Sequence, residues 1–377
     1  MNEDRSVRYH RLRRRAGIAS MLAGTASLAA LAATGASAAL ALRAGSAGAF
    51  LPSPLGRTLS IVVVIGVLAI GWELVSLPFV FYRNFYLDRK YGLSSESAST
   101  WLNDHCKALG LGLALTIVAG IAVYGAMAMA GVYWWLVAGG LFGAAAALLS
   151  RVAPVLLMPI FYRFRPLDRE ALRERLLTLS TRAGVRVLGA FEWGLGEKTT
   201  RANAALVGVG GTRRILVSDT LLKDYSDDEI EVILAHEIAH HVHHDIWTAL
   251  AIETVVVTVS LYVAHLAVTR AGALLPSANP ADLAALPLII LAAGLVSLLL
   301  TPIGNAWSRY NERRADRFAL ALTRRPAAFI SAMRRLGAQN LAEENPSTPV
   351  LWFFHTHPTI DERIAAARTF GRTEVRT

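Results

Sequence analysis

The sequence predicts a multi-pass α-helical membrane protein of about six spans, with a mostly helical α/β domain on one side of the membrane. Three observations predict it. Of 377 residues, 54% are hydrophobic and only 18% charged, with a mean hydropathy of +0.42, which is too apolar for an ordinary soluble domain. Six segments are long and apolar enough to cross a bilayer, roughly 17–42, 58–82, 108–130, 132–152, 246–269 and 283–304. Between and after them lie polar stretches with helix and strand patterns, 153–245 and 305–377.

In chain order, residues 1–16 form a basic N-terminus. The first span, 17–42, is rich in Ala and Gly and follows Arg11, Arg13, Arg14 and Arg15. It contains Ala36-Ser37-Ala38, so a cleaved signal peptide is an alternative reading of this segment. Both readings leave 43–57 outside. The loop 83–107 carries Arg83, Arg89, Lys90 and Lys107, whereas 43–57, 131–132 and 270–282 carry only Arg43, Arg57 and Arg270. Counting positive charges therefore puts 83–107, 153–245 and 305–377 together on the cytoplasmic side of the cell membrane. Glu73, in the middle of the second span, is an intramembrane acid and so a functional candidate; the bland alternative is a pair with a neighbouring helix, and it is left out of the site. The net charge of +10 reads as topology and attraction to anionic lipid. No basic patch interleaved with aromatic residues occurs, which argues against nucleic-acid binding. The single cysteine, Cys106, excludes an internal disulfide and a cysteine-based metal cluster.

The segmentation expected is an N-terminal membrane region over 17–165, a first catalytic part over 166–245, two further spans over 246–304 and a second catalytic part over 305–377. Within the polar part, 168–183 reads as a helix and 185–193 as a strand. "ANAALVGV" and "RRILVSD" read as two strands joined across Gly210-Gly211-Thr212. Ser226-Asp227-Asp228-Glu229 has the form of a capping box, and Ile230, Ile233, Leu234 and Ile238 give the following helix an apolar face.

That helix ends in "LAHEIAHHVHHDIW" (234–247). At about 100° per residue, His236 and His240 lie on one face, one turn apart. Two imidazoles so placed share one zinc at about 2.0–2.1 Å each. Glu237, following the first histidine, reaches a water on that ion as general base. His243 sits about 10.5 Å along the axis from His236, too far to close a tetrahedral site. His241 points away and His244 lies on the flank, so these three read as solvated or supporting. Position 243 is not Gly and position 246 is not His, which excludes the pattern H-E-x-x-H-x-x-G-x-x-H. The third ligand must come from elsewhere, and the bland alternative is a histidine-rich helix end with no metal.

After the sixth span, "NAWSRYNERRADRFALAL" (305–322) continues as a helix with Glu312 and Asp316 one turn apart. Two spans separate it from the histidines, so it returns to the same side. Glu312 is the candidate third ligand, and Asp316 a candidate acceptor for the free N–H of a ligating histidine.

The joint pattern of HEIAH at 236–240 and N-x-x-S-R-x-x-E-x-x-A-D at 305–316 resembles the integral-membrane zinc metallopeptidases that include type-1 CAAX prenyl proteases and HtpX-type proteases. "LPFVFYRNFYLDRKYGLSS" (77–95), "LMPIFYRFRPL" (157–167), "NAALVG" (203–208) and "HPTIDERI" (357–364) are similar to the CAAX-protease side, and the likeness covers roughly 58–370. The resemblance implies a zincin-like α/β catalytic domain and one Zn2+ per chain on His236, His240 and Glu312, with Glu237 activating water. It implies that Asn203 and Ala204 lie on an edge strand that pairs with the substrate backbone. His357 would donate to the oxyanion, and Asn305, Arg309, Asp316 and Arg363 would support the site. The implied partners are a peptide or protein substrate, membrane-associated or prenylated, and membrane lipid. Alone, His357-Pro358 reads as a loop histidine before a turn, and Asn203 as a hydrogen-bonded edge residue.

The chain departs from the eukaryotic pattern of seven spans. It lacks the long polar insert before the HExxH helix, and Asp245 stands where many members have histidine. Rival readings are an HtpX-like quality-control protease and a non-catalytic zinc-binding membrane protein. A site-2-type intramembrane protease is disfavoured because the motif is flanked by "KDYSDDEIEVILA" and "HHVHHD", too polar for the bilayer centre.

Overall fold

The computed structural model describes residues 2–271 and 279–374. Most of the expected outer loop 270–282 therefore lies outside the described residues. Helix α1 (Asn2–Ala33) is followed by α2 (Ala36–Gly48), with Gly35 at φ 73° between them. The expected span 17–42 straddles this break. The long apolar helix is Arg5–Ala33 instead, because a left-handed residue at 35 ends the α1 hydrogen-bond ladder. The basic segment 2–16 is helical and continuous with it.

Helix α3 (Ser53–Phe81) lies against both. A methyl on Gly48 would meet the Gly56 carbonyl oxygen at 2.3 Å, so the turn from α2 to α3 closes backbone on backbone. The chain passes through the short α4 (Leu87–Lys90) into α5 (Ala98–Ala130). It reverses at Gly131, φ 52°, into α6 (Trp134–Val152). Five helical stretches among the described residues are long and apolar enough to cross a membrane. One of them, Ala98–Phe161, holds the α5–α6 hairpin, so the stretches make six passes.

After α7 (Met158–Phe161), strand β1 (Phe164–Pro166) leads to α8 (Glu170–Arg182), β2 (Ala190–Trp193), β3 (Ala204–Val207) and β4 (Arg214–Ser218). The sheet order is β1-β2-β4-β3, with β2 and β4 parallel and the other pairs antiparallel, so β3 is an edge strand. Only the second half of the strand expected over 185–193 forms. Gly184, φ 72°, ends α8, and Val185 N–H closes that end on the Ser180 carbonyl. Helix α9 (Asp219–Asp224) precedes α10 (Asp227–Val242), and α11 (Asp245–Ala271) returns to the membrane. Helix α12 (Leu286–Thr323) is continuous through Pro302, so the sixth span and the NERRAD face are one helix. Helices α13 (Pro326–Gln339), α14 (Thr348–Phe354) and α15 (Ile360–Glu374) complete the chain.

The core of the polar part gathers around α10. Ile230, Leu234 and Ile238 are fully buried against Leu172 and Leu176 of α8, Ile215 of β4, Leu320 of α12 and Phe329 of α13. Each such side chain contributes about 1.5–3 kcal/mol by leaving water. That burial fixes the rotation of α10 about its axis, and with it the direction in which His236 and His240 point.

Candidate metal centre

Helix α10 starts in a capping box. Ser226 Oγ accepts from Glu229 N–H, and Ser226 N–H donates to Glu229 Oε2 at 2.8 Å. Ser331 of α13 also donates to Glu229 at 2.6 Å, which ties the start of α10 to its neighbour. The helix ends at His243, and His244 adopts φ 58°. This left-handed residue turns the chain into α11 within one step.

His236 and His240 face each other edge to face, with ring centroids 5.0 Å apart. Their Nε2 atoms converge on Glu312 from α12, at 3.1 Å for His236 and 3.5 Å for His240. Ligand atoms of the three residues lie within 4.8 Å of one another. Glu312 Oε2 is buried and accepts no hydrogen bond, although His236 Nε2 is 3.1 Å away. A buried carboxylate that turns one oxygen to each of two imidazole nitrogens is the donor set of a cation site, and the residues fit a borderline-soft divalent metal.

The opposite ring nitrogens are also held. His236 Nδ1 lies 2.9 Å from Asp316 Oδ1, and His240 Nδ1 donates to Asp245 Oδ2 at 2.8 Å. Each carboxylate has its own guanidinium. Arg363 grips Asp316 with two bonds of 2.9 and 2.6 Å, and Arg314 bonds Asp245. These carboxylates fix the tautomer that leaves both Nε2 lone pairs free for a metal.

The electrostatics follow from burial and pairing. Burial works against a charged His236, but its pairing with Asp316 and Glu312 outweighs it and lifts its pKa to about 9. Burial raises Asp316, yet its bonds from His236 and Arg363 bring it down to about 2. Glu312 is likewise held below the usual carboxylate range by His236, against its own burial. Glu237 moves the other way: burial raises it, which suits a base that must take a proton and return it. It lines a cavity of about 530 Å³ with His240 and Glu312.

His357 reaches the same point from the chain between α14 and α15. Its Nε2 is 3.3 Å from Glu312 Oε1, and its side chain is 60% exposed. Asn305 and Arg309 touch no member of the centre directly. Asn305 donates to the Trp352 carbonyl at 2.9 Å, and Arg309 to the Leu351 and His355 carbonyls at 3.0 and 2.7 Å. They hold α14 and the turn that delivers His357.

Asn203 and Ala204 stand at the start of the edge strand. The Asn203 carbonyl accepts from Ser218 N–H at 2.9 Å. Of this strand, Leu206 lines the metal-side cavity, whereas Asn203 lines a separate polar cavity of about 620 Å³ beside Asp88, Lys198 and Arg201.

Two contributors escape a reading of the motif. Asp245 follows His240 by five residues, a spacing no helix face provides, and only the left-handed His244 brings it back. His241 sends Nε2 to the Leu206 carbonyl at 2.7 Å, tying α10 to the edge strand. His243 packs edge to face on Phe318. Glu73 bonds His105 at 2.8 Å, away from the centre.

The family model described as peptidase family M48 matches residues 166–370. The model described as CAAX prenyl protease N-terminal, five membrane helices, matches residues 2–163, a stretch that holds α1, α2, α3, α5 and α6. A Bacillus subtilis protein named uncharacterized metalloprotease YhfN is 30% identical over 315 residues, covering 82% of this chain and 74% of that protein. The probable CAAX prenyl protease 1 of Schizosaccharomyces pombe is 28% identical over 303 residues, covering 78% of this chain and 62% of that protein. The CAAX prenyl protease 1 of Saccharomyces cerevisiae is 27% identical over 326 residues, covering 80% and 70%. The crystal structure of S. mikatae Ste24p superposes with a TM-score of 0.72 at 22% identity over 87% of this chain and 79% of that one, which is a shared fold.

Proposed function

The chain belongs to peptidase family M48 and is a multi-pass membrane metallopeptidase, and from that premise we propose that its metal is zinc, one per chain, bound by His236, His240 and Glu312. The observation that carries this is the convergence of both Nε2 atoms on one buried carboxylate, His236 on Glu312 Oε2 and His240 on Oε1, with each Nδ1 tied to its own carboxylate. Zinc bound there supplies a Lewis acid and a water of lowered pKa. Glu237 takes the proton from the attacking water and later hands it to the leaving amine. His357 donates to the oxyanion that develops on the scissile carbonyl. Its side chain is 60% exposed, so substrate can reach it from the open side. The outer edge of β3, at Asn203 and Ala204, pairs with the extended substrate backbone. Asp316, Asp245, Arg363, Asn305 and Arg309 hold these groups in place.

The substrate is a peptide or protein. The cavity beside Glu237 continues along Ile252 of α11 and Gly304 and Trp307 of α12, which supports a membrane-associated polypeptide. The relatives named CAAX prenyl protease 1 support a prenylated one. Counting positive charges supports a site on the cytoplasmic side of the cell membrane.

The test is zinc content and casein cleavage by the detergent-solubilised protein, wild type beside Glu237→Gln. One zinc in each and a loss of about 10²–10⁴-fold in the variant is expected. Equal turnover by both overturns the mechanism, and absence of zinc overturns the ligand set. A farnesylated peptide beside its unmodified twin then separates a CAAX-type processing enzyme from a quality-control protease.

A further inference from the structure

Glu253 lies on α11, eight residues after Asp245, inside a stretch apolar enough to cross a membrane. It lines the same cavity as Glu237, His240 and Glu312. It is exposed, and among the described residues it has no hydrogen-bond or ion-pair partner. The acid within the α3 span, Glu73, is by contrast engaged by His105. Around Glu253 the wall is Ile246, Ala249, Ile252, Gly304 and Trp307. A carboxylate at membrane depth is costly and marks function by default. Here it is open to the cleft and lacks a counter-charge. Glu253 stands among these apolar neighbours, eight residues along α11 from Asp245, whereas Glu312 and Asp245 of the same cavity face the histidines; a few placed polar groups in an apolar surround select an orientation, and a weakly solvated wall strengthens the pair that forms there.

We propose that Glu253 is a specificity-determining residue that receives a lysine or arginine side chain of the polypeptide substrate. The aliphatic stem of that side chain packs along Ile252 and Trp307 while its head meets the carboxylate. Glu253 stands about 12 Å along the helix axis from Asp245. Asp245 holds His240, and an extended chain covers that distance in about three to four residues, which sets the range of positions over which the basic residue is sought.

This inference rests on the metallopeptidase reading above. Its test uses the full-length, zinc-loaded protein and neutral peptides carrying one lysine at each of the five positions on either side of the cut, with a matched glutamate set. At one position the wild type favours lysine over glutamate by about tenfold to a hundredfold in kcat/KM, chiefly through KM. Glu253→Gln abolishes that preference and Glu253→Lys reverses it, an exchange that a merely structural role does not produce. Bound zinc, measured in all three proteins, verifies that each is folded. Equal lysine-to-glutamate ratios in wild type and both variants at every position overturn the proposal. Absence of any cleavage by zinc-loaded wild type instead overturns the peptidase reading and takes this inference with it.

Discussion

The pair α10–α12 and the segment 340–359 meet at one carboxylate, Glu312, and are built in opposite ways. In the pair, His236, Glu312 and Asp316 are buried, and every ring nitrogen of His236 and His240 faces a carboxylate. The spacing is supplied by helix periodicity, and the orientation by two carboxylate–arginine pairs. In the segment, His357 is largely exposed and hangs from backbone carbonyls held by Asn305 and Arg309. Its far end is held by α1: Arg14 bonds Glu343, and Ser6 and His10 both reach the Leu341 carbonyl. Leu341 sits at φ 50°, a strained conformation for a leucine. The metal-binding half is set before substrate arrives. The proposed oxyanion donor, His357, is instead carried on an exposed turn held through backbone carbonyls.

Replacing His357 by Phe gives the largest separation of the two halves. It removes a donor from that turn and leaves the α10–α12 pair intact. Turnover falls about 10²–10³-fold, with bound zinc unchanged. The measurement is kcat on a peptide substrate beside zinc content by atomic absorption. A loss of zinc places His357 among the ligands and ends the distinction between the halves.

How much of this the sequence carried depends on the range of each contact. His236, Glu237 and His240 were legible because helix periodicity puts them on one face. Glu312 and Asp316 were legible because two spans return the chain to the same side one turn apart. Asp245 was not: its contact with His240 depends on the left-handed turn at His244, which no periodicity encodes. Nor was the break at Gly35 within the expected first span, since a glycine in an Ala/Gly-rich helix has no distinct local signal. The bonds from Ser6, His10 and Arg14 to residues 341–343 span more than 300 positions, beyond any local pattern. The His357 position came only from its motif, because a lone His-Pro reads as a loop.

The second effect sharpens the comparison inside the metal-binding half. Asp316→Asn and Asp245→Asn each remove the acceptor of one Nδ1–H, and each weakens zinc by about 10–100-fold. The Asp316 variant is the more severe. It strands Arg363, whose guanidinium makes both its carboxylate bonds to Asp316, and an uncompensated buried charge costs about 3–5 kcal/mol. Competition with a chelator reads the affinity, and thermal unfolding with excess zinc reads the stability. Equal melting points for the two variants exclude the stranded charge as a cost.

The smallest effect tests the His357 turn by its suspension. Asn305→Ala removes one hydrogen bond, to the Trp352 carbonyl, at the exposed end of α14. Arg309 still holds the Leu351 and His355 carbonyls, so the turn loosens and does not detach. A neutral hydrogen bond contributes about 0.5–1.5 kcal/mol, so kcat falls about 2- to 10-fold. Zinc affinity stays at the wild-type value, because Asn305 lies two turns before Glu312 on α12 and touches neither histidine. Combined with His357→Phe, the Asn305 substitution costs nothing further if its only role is to carry that histidine. Double-mutant kinetics measure this coupling, and additive losses show that Asn305 acts on the substrate by another route.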